Sequence, residues 1–268
     1  MSQMDPEQFD GCIGVFDSGV GGISVLKELC SLLPGEDFVF FGDSANAPYG
    51  DKPEQTIFEL SSRIARGFIE SGCKAIVIAC NTATSTTAGR LRAAYPQVPI
   101  VGIEPALKPA ALAQRDAGSG GGILVMATEV TLRLEKFQKL LGEYGRSSNV
   151  VTVACTGLAD RIEEGNLGSP DLVQLLDRLV GRYRGEVGSV VLGCTHYVFV
   201  KPQIRKVLGS VPLYDGNAGT AMQLKHVLAG SGLLRDRSSG GRVLFYSSVD
   251  TPEEIDLYKR FFALPISG

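Results

Sequence analysis

The chain has 268 residues, 44% hydrophobic and 21% charged, with 26 basic against 29 acidic side chains and a net charge of -3. This is ordinary composition for a soluble globular protein; the length allows one large domain or two of roughly 100–150 residues, and no run of about 18 apolar residues offers a membrane span. No basic block stands out and the polar, acidic start is unlike a secretory leader, so the expectation is a cytoplasmic chain with no nucleic-acid or membrane partner.

In chain order, residues 12–16 form a short apolar run that opens into Asp17-Ser18-Gly19-Val20-Gly21-Gly22. The glycines invite a nucleotide reading, but the spacing fits neither the dinucleotide fingerprint nor the P-loop, and Asp17 would repel a phosphate. An acid followed by a hydroxyl, Asp17 and Ser18, suits an ammonium better. The run 38–41 leads to a long polar loop, Asp43 to Lys52, in which Tyr49-Gly50 can present backbone N–H groups to a carboxylate; a solvated turn is the equal alternative. Ile57, Leu60, Ile64 and Phe68 keep helical spacing, with Pro53 suited to the start and Gly72 to the stop. The run 75–79 ends in Cys80-Asn81-Thr82. The run 100–102 is followed by Glu104-Pro105, a hinge or helix start, and 118–122 reads as a flexible connection. Runs at 123–126, 150–154 and 189–192 end near Thr128, at Cys155 and at Cys194-Thr195-His196, and a strong helical stripe joins Leu172 to Tyr183. A strand at 211–214 before Asp215, another at 242–247 and a helix after Pro252 complete the chain. Continuous apolar runs alternating with amphipathic helices predict an α/β fold with parallel sheets covered on both faces.

The chain also resembles itself. Asp17 and Thr128, Asp43 and Cys155, and Cys80 and Cys194 end equivalent runs at offsets of 111, 112 and 114 positions. This predicts two similar, pseudo-symmetric α/β domains facing a cleft: residues 1–103 with 215–268, and residues 104–214. In open α/β sheets, ligands sit beyond the carboxyl ends of the strands, and Cys80 and Cys194 both fall there. Each precedes a helix start, where backbone N–H groups and the helix dipole should lower a thiol pKa. One thiol on each side of a small molecule suits a reaction that removes a proton from one face of a carbon and delivers one to the other, inverting the centre. No pyridoxal-phosphate or metal signature is present, so no cofactor and no metal are expected. Cys12, Cys30 and Cys73 read as structural thiols and His226 as a surface residue. Cys155 is intermediate, and His196, beside Cys194, favours a functional role.

Taken together, Phe16 to Gly22, Gly42-Asp43 through Pro48-Tyr49-Gly50, Ala79-Cys80-Asn81-Thr82-Ala83, Ala127-Thr128 with Thr131, Cys155 with Leu158 and Glu163, and Leu192-Gly193-Cys194-Thr195-His196-Tyr197 closely resemble the cofactor-independent enzymes of the aspartate/glutamate racemase superfamily. The resemblance spans about residues 11 to 230 in order. It implies interconversion of L- and D-glutamate, with D-glutamate supplied for peptidoglycan. It also implies Cys80 and Cys194 as catalytic thiols, Asp17 as the acid beside the first, and Glu163 and His196 as helpers of the second. Asp17 and Ser18, Tyr49 and Gly50, Asn81 and Thr82, Thr128, and Thr195 and His196 match substrate-binding positions. Family members often form homodimers, so a homodimer is a candidate assembly. The chain departs from the family pattern at Val198, Gly216 and Phe137, where proline, serine and tyrosine are usual.

Three alternatives stay open at this point. A racemase of the same superfamily acting on aspartate or a hydantoin would share the motifs. A two-lobed amino-acid-binding protein would have no need of paired thiols. A cysteine hydrolase would use one nucleophile with a base and an orienting partner, leaving the second thiol idle.

Overall fold

The computed structural model describes residues 8–117, 121–145, 148–237 and 239–265. The first part of the chain forms β1 (Ile13–Asp17), α1 (Ile23–Leu32), β2 (Phe38–Gly42), α2 (Glu54–Glu70), β3 (Ala75–Ile78), α3 (Asn81–Ala94) and β4 (Ile100–Gly102). There follow α4 (Leu107–Ala117), β5 (Gly122–Ala127), α5 (Glu129–Arg133), α6 (Glu135–Tyr144), β6 (Val150–Ala154), α7 (Leu158–Glu163), α8 (Pro170–Val180) and β7 (Val187–Leu192). The chain then continues through α9 (Lys201–Leu208), β8 (Leu213–Asp215), α10 (Asn217–Gly230), β9 (Val243–Ser247) and α11 (Pro252–Ala263). Among the described residues no helix is long and apolar enough to cross a membrane.

Every strand pairing is parallel, and the strands form two sheets, ordered β4-β3-β1-β2-β9 and β6-β5-β7-β8. Setting β5 on β1, β6 on β2, β7 on β3 and β8 on β4 makes the second order repeat the first, with β9 as an addition. The fold is therefore α/β with two similar parallel sheets related by pseudo-symmetry.

Why the strands read as continuous apolar runs is visible in the core. Ile13 and Val15 of β1 face one apolar cluster, whereas Cys12 and Phe16 face another on the opposite side of the sheet. Leu124 and Met126 of β5 join the first cluster, while Ile123 and Val125 join a third. Alternate side chains point to opposite faces, and both faces are covered. One cluster runs without a break from the first sheet through α1 and α10 into the second, so the halves share a core as well as a cleft. Each fully buried Val, Leu, Ile or Phe there stabilises the fold by ~1.5–3 kcal/mol.

Local signals place most boundaries. Pro53 occupies the N-cap of α2, and Gly72 turns the chain after it at φ +85°. The apolar stripe from Leu172 outruns its α-helix, since 181–183 tighten into a 3-10 turn. The polar stretch after β2 is ordered as two 3-10 turns, Ser44–Asn46 and Tyr49–Asp51, with Tyr49 only 1% exposed rather than on a solvated turn. Of the glycine-rich connection expected at 118–122, residues 118–120 lie outside the described residues, and Gly122 already belongs to β5.

Candidate active site

The carboxyl ends of β1 and β3 bring Asp17 and Cys80 together. Cys80 is the N-cap of α3, and its Sγ accepts the Ala83 N–H at 3.4 Å. Asp17 is fully buried. Its Oδ2 accepts the Gly22 N–H at 2.5 Å and the Thr195 hydroxyl at 3.2 Å, while Oδ1 has no hydrogen-bond partner among the described residues. Burial raises the Asp17 carboxyl above its ordinary value, although His196 opposes this. The lowered thiol pKa expected at Cys80 is not found. Burial, and then the charge of Asp17, push the thiol well above its ordinary value, and the Ala83 N–H offsets only part of that. The helix end acts as anticipated, but desolvation is the larger effect.

The second half builds a different surround. Cys194 lies two residues beyond β7 and opens a 3-10 helix, Thr195–Val200, without capping it through its side chain. Its Sγ is 3.5 Å from His196 Nδ1, and His196 Nε2 is 2.6 Å from Glu163 Oε1 at the end of α7. Burial alone would lower the imidazole pKa. The charges and hydrogen bonds of Cys194 and Glu163 outweigh it and hold His196 well above its ordinary value.

Residues far apart in sequence close the site. Glu163 Oε1 also accepts the Val20 N–H at 2.9 Å, and Ser24 Oγ donates to the Thr195 carbonyl at 3.2 Å. These contacts explain the glycine loop. A Cβ on Gly19 would overlap the Glu163 carboxylate, and one on Gly21 would overlap the His196 ring. The loop is bare so that the second half can lie against it, which is a packing requirement and not a phosphate cradle. On the opposite wall the hydroxyls of Thr82, Thr128 and Thr131 form a triangle 2.9–3.2 Å on a side. Asp43 holds the loop of Tyr49 and Gly50, accepting the Tyr49 hydroxyl at 2.5 Å and the Asn46 amide at 2.9 Å.

The result is one small cavity between the halves. It is lined by Asp17, Ser18, Tyr49, Gly50, Cys80, Asn81, Thr82, Thr128, Cys194, Thr195 and His196. Glu163 alone among the expected site residues stands behind it, touching His196. Pro48, Ala159 and Gly193 also line the cavity and were not singled out from the sequence. Pro48 and Gly193 lie inside the quoted motifs; Ala159, on α7, carries no sequence signal. Cys155 lines an adjoining cavity, its thiol pushed up to about 12 by burial and then by Cys194. Cys12 and Cys73 are buried, Cys30 is half-buried, and His226 is exposed on α10.

Two thiols from corresponding strand ends, facing one small and polar cavity, define a site for moving protons at a carbon centre. Residues 39–224 match the family model described as Asp/Glu/Hydantoin racemase. The chain belongs to this family and is an amino-acid racemase. Within the family, curated relatives at 40–44% identity that it matches over more than nine-tenths of their length are glutamate racemases. That of Clostridium novyi is 44% identical over 245 residues, covering 91% of this chain and 93% of the relative. Among solved structures, the glutamate racemase of Francisella tularensis in complex with D-glutamate superposes with a TM-score of 0.79 at 27% identity, over 96% of this chain and 95% of that one. The Escherichia coli enzyme, in complex with L-glutamate and the activator UDP-MurNAc-ala, gives 0.81 at 27% identity, over 93% and 95%.

Proposed function

We propose that this chain interconverts L- and D-glutamate without a cofactor, through Cys80 and Cys194 acting on opposite faces of Cα, and that it serves peptidoglycan synthesis in the cytoplasm by supplying D-glutamate. The observation that carries this reading is that the two thiols, one from each half, line a single cavity. The bound L- and D-glutamate in the two solved relatives support glutamate as the substrate.

In this mechanism one sulfur, as thiolate, takes the Cα proton. An S–H bond forms, the C–H bond breaks, and the electron pair stays on Cα, spread into the α-carboxylate. The opposite thiol then gives its proton to the other face and becomes the thiolate. The sulfurs have exchanged states and the centre is inverted; the reverse reaction retraces the path. The carbanion is a strong base, so the cavity must supply fixed donors to the carboxylate. Asn81, Thr82, Thr195 and the N–H groups of Tyr49 and Gly50 are suited to the two carboxylates, and Asp17 with Ser18 to the ammonium. Burial, and then Asp17, favour the thiol form of Cys80, the donor in the direction in which Cys194 takes the Cα proton. His196, 3.5 Å from the sulfur of Cys194 and hydrogen-bonded to Glu163, is placed to exchange a proton with that sulfur.

The test is racemisation in heavy water without added cofactor. L-glutamate should lose its optical activity and gain deuterium at Cα, and aspartate assayed alongside should react more slowly. Saturable glutamate binding with no exchange would favour a binding protein, and faster turnover of aspartate would favour another racemase of the superfamily.

A further inference from the structure

An ion pair outside the cavity, its lysine buried and its aspartate half-buried, is not used by this mechanism. Lys201 opens α9, directly after the 3-10 helix that carries Thr195 and His196, and its side chain is 7% exposed. Its Nζ lies 2.9 Å from Oδ2 of Asp215, the last residue of β8, which pairs in register with Leu192 of β7. Asp215 Oδ1 accepts the N–H of Asn217, the first residue of α10, at 3.0 Å. Between them, Gly216 lies against the chain's earlier passage from the first sheet to the second. A Cβ there would overlap the Glu104 carbonyl and meet Ile103 Cγ1 at 2.8 Å.

This is an awkward place for a cation. The N-terminus of a helix is the positive end of its dipole, and lysine is seldom buried without a partner. A buried ion pair also does little for stability compared with well-packed apolar residues of the same volume, because desolvation cancels the attraction. What it does provide is one fixed geometry. Here that geometry ties three elements together: the 3-10 helix beginning at Thr195, the end of β8 two positions in register before Cys194's strand exit, and the start of α10.

We propose that Lys201 is a positioning residue for the racemase, with Asp215 as its anchor: their ion pair holds the segment from Cys194 to Val200 against the passage between the two halves, and so aims Cys194 and His196 at the cavity opposite Cys80. The proposal rests on the reading of Cys194 as one of the two thiol bases. Lys201 touches neither substrate nor reacting atoms; it acts through the 3-10 helix.

The decisive protein is the double variant Lys201→Met/Asp215→Leu, which removes both charges while keeping volume, compared with Lys201→Arg, which keeps the charge. The double variant should fold with a thermal midpoint near that of the parent. Its kcat should fall about 10- to 100-fold, the cost of a displacement near 1 Å, while KM stays within about threefold. Lys201→Arg should recover most of the loss. In parallel, the rate at which iodoacetamide labels each cysteine is read by peptide mapping. It should change several-fold at Cys194 and stay unchanged at Cys80. A folded double variant with parental kcat and parental labelling of Cys194 overturns the proposal, and so does an equal change at both thiols, which would mean general loosening. If the double variant does not fold, Lys201→Gln takes its place: the same selective change at Cys194 supports the proposal, and parental kcat and labelling overturn it. Labelling needs no turnover, so the two readings fail separately: a parent that does not racemise glutamate sinks the functional reading, while a selective response of Cys194 to Lys201 still upholds the positioning role.

Discussion

The two halves of the molecule share strand order, parallel pairing and a cysteine two residues beyond an equivalent strand. Their thiols nevertheless have opposite company. Cys80 sits beside the buried carboxyl of Asp17 and caps a helix; Cys194 sits beside an imidazole backed by Glu163 and caps nothing through its side chain. A duplicated backbone brings two thiols to one cavity. The groups beside each sulfur differ: a buried carboxyl and a helix N–H at Cys80, an imidazole at Cys194. Near-symmetry in the fold thus coexists with asymmetry in the groups around the two sulfurs, and the proposed two-thiol reaction would need both, because two thiols or two thiolates would be equally inert.

The comparison breaks most directly at the sulfurs. Cys80→Ala and Cys194→Ala should each lower kcat/KM by about 10²–10⁴-fold in polarimetric assays; a variant that keeps the parental rate removes that sulfur from the chemistry. Next comes the contact between the halves. Gly21→Ala forces a methyl group onto the His196 ring, at about 1–3 kcal/mol of strain, and should reduce kcat by roughly tenfold or more. Gly142→Ala in α6, where a Cβ meets nothing within 4 Å, is the control and should leave activity unchanged. Glu163→Gln sharpens the electrostatic difference. Glu163 helps to raise the His196 pKa, so neutralising it lowers that pKa, and the limb of the pH–rate profile set by loss of the His196 proton should move to lower pH. An unmoved limb would assign it to another group.

The smallest effect lies far from the cavity. Asp37 is gripped by Arg235, Arg237 and the Arg242 N–H; burial alone would raise its carboxyl, but these partners hold it below its ordinary value. A depressed folded pKa stabilises the protein above the unfolded value and is lost as pH falls through the acid range. Asp37→Asn should therefore cost about 1 kcal/mol in urea unfolding at neutral pH, with the gap to the parent closing towards acid pH. A gap that does not change with pH would refute this.

Much of the architecture is legible in the chain because parallel strands buried on both faces leave unbroken apolar runs, and the site is legible because strand ends concentrate its unusual residues. The runs at 38–41 and 75–79 differ from β2 and β3 by one residue. What local pattern could not reveal is contact over long separations. Val20 to Glu163 spans 143 positions and Ser24 to Thr195 spans 171, and neither pairing leaves a trace in its own neighbourhood. The same blindness explains Cys80: its position before a helix was readable, whereas the desolvation that reverses its expected pKa depends on everything packed over it. Ala159 was missed because an alanine on a short helix has no signature until the opposite wall is in place.

The cap that Cys80 makes on α3 has a consequence for observing turnover. A thiolate accepts a hydrogen bond more strongly than a thiol, so in the proposed reaction each arrival or departure of the proton at that sulfur would tighten or slacken the link to Ala83. The amide resonance of Ala83 becomes a backbone reporter on one side of the molecule, with the ring resonances of His196 as its counterpart on the other. Followed together by nuclear magnetic resonance, the pair would say which sulfur holds the shared proton at rest.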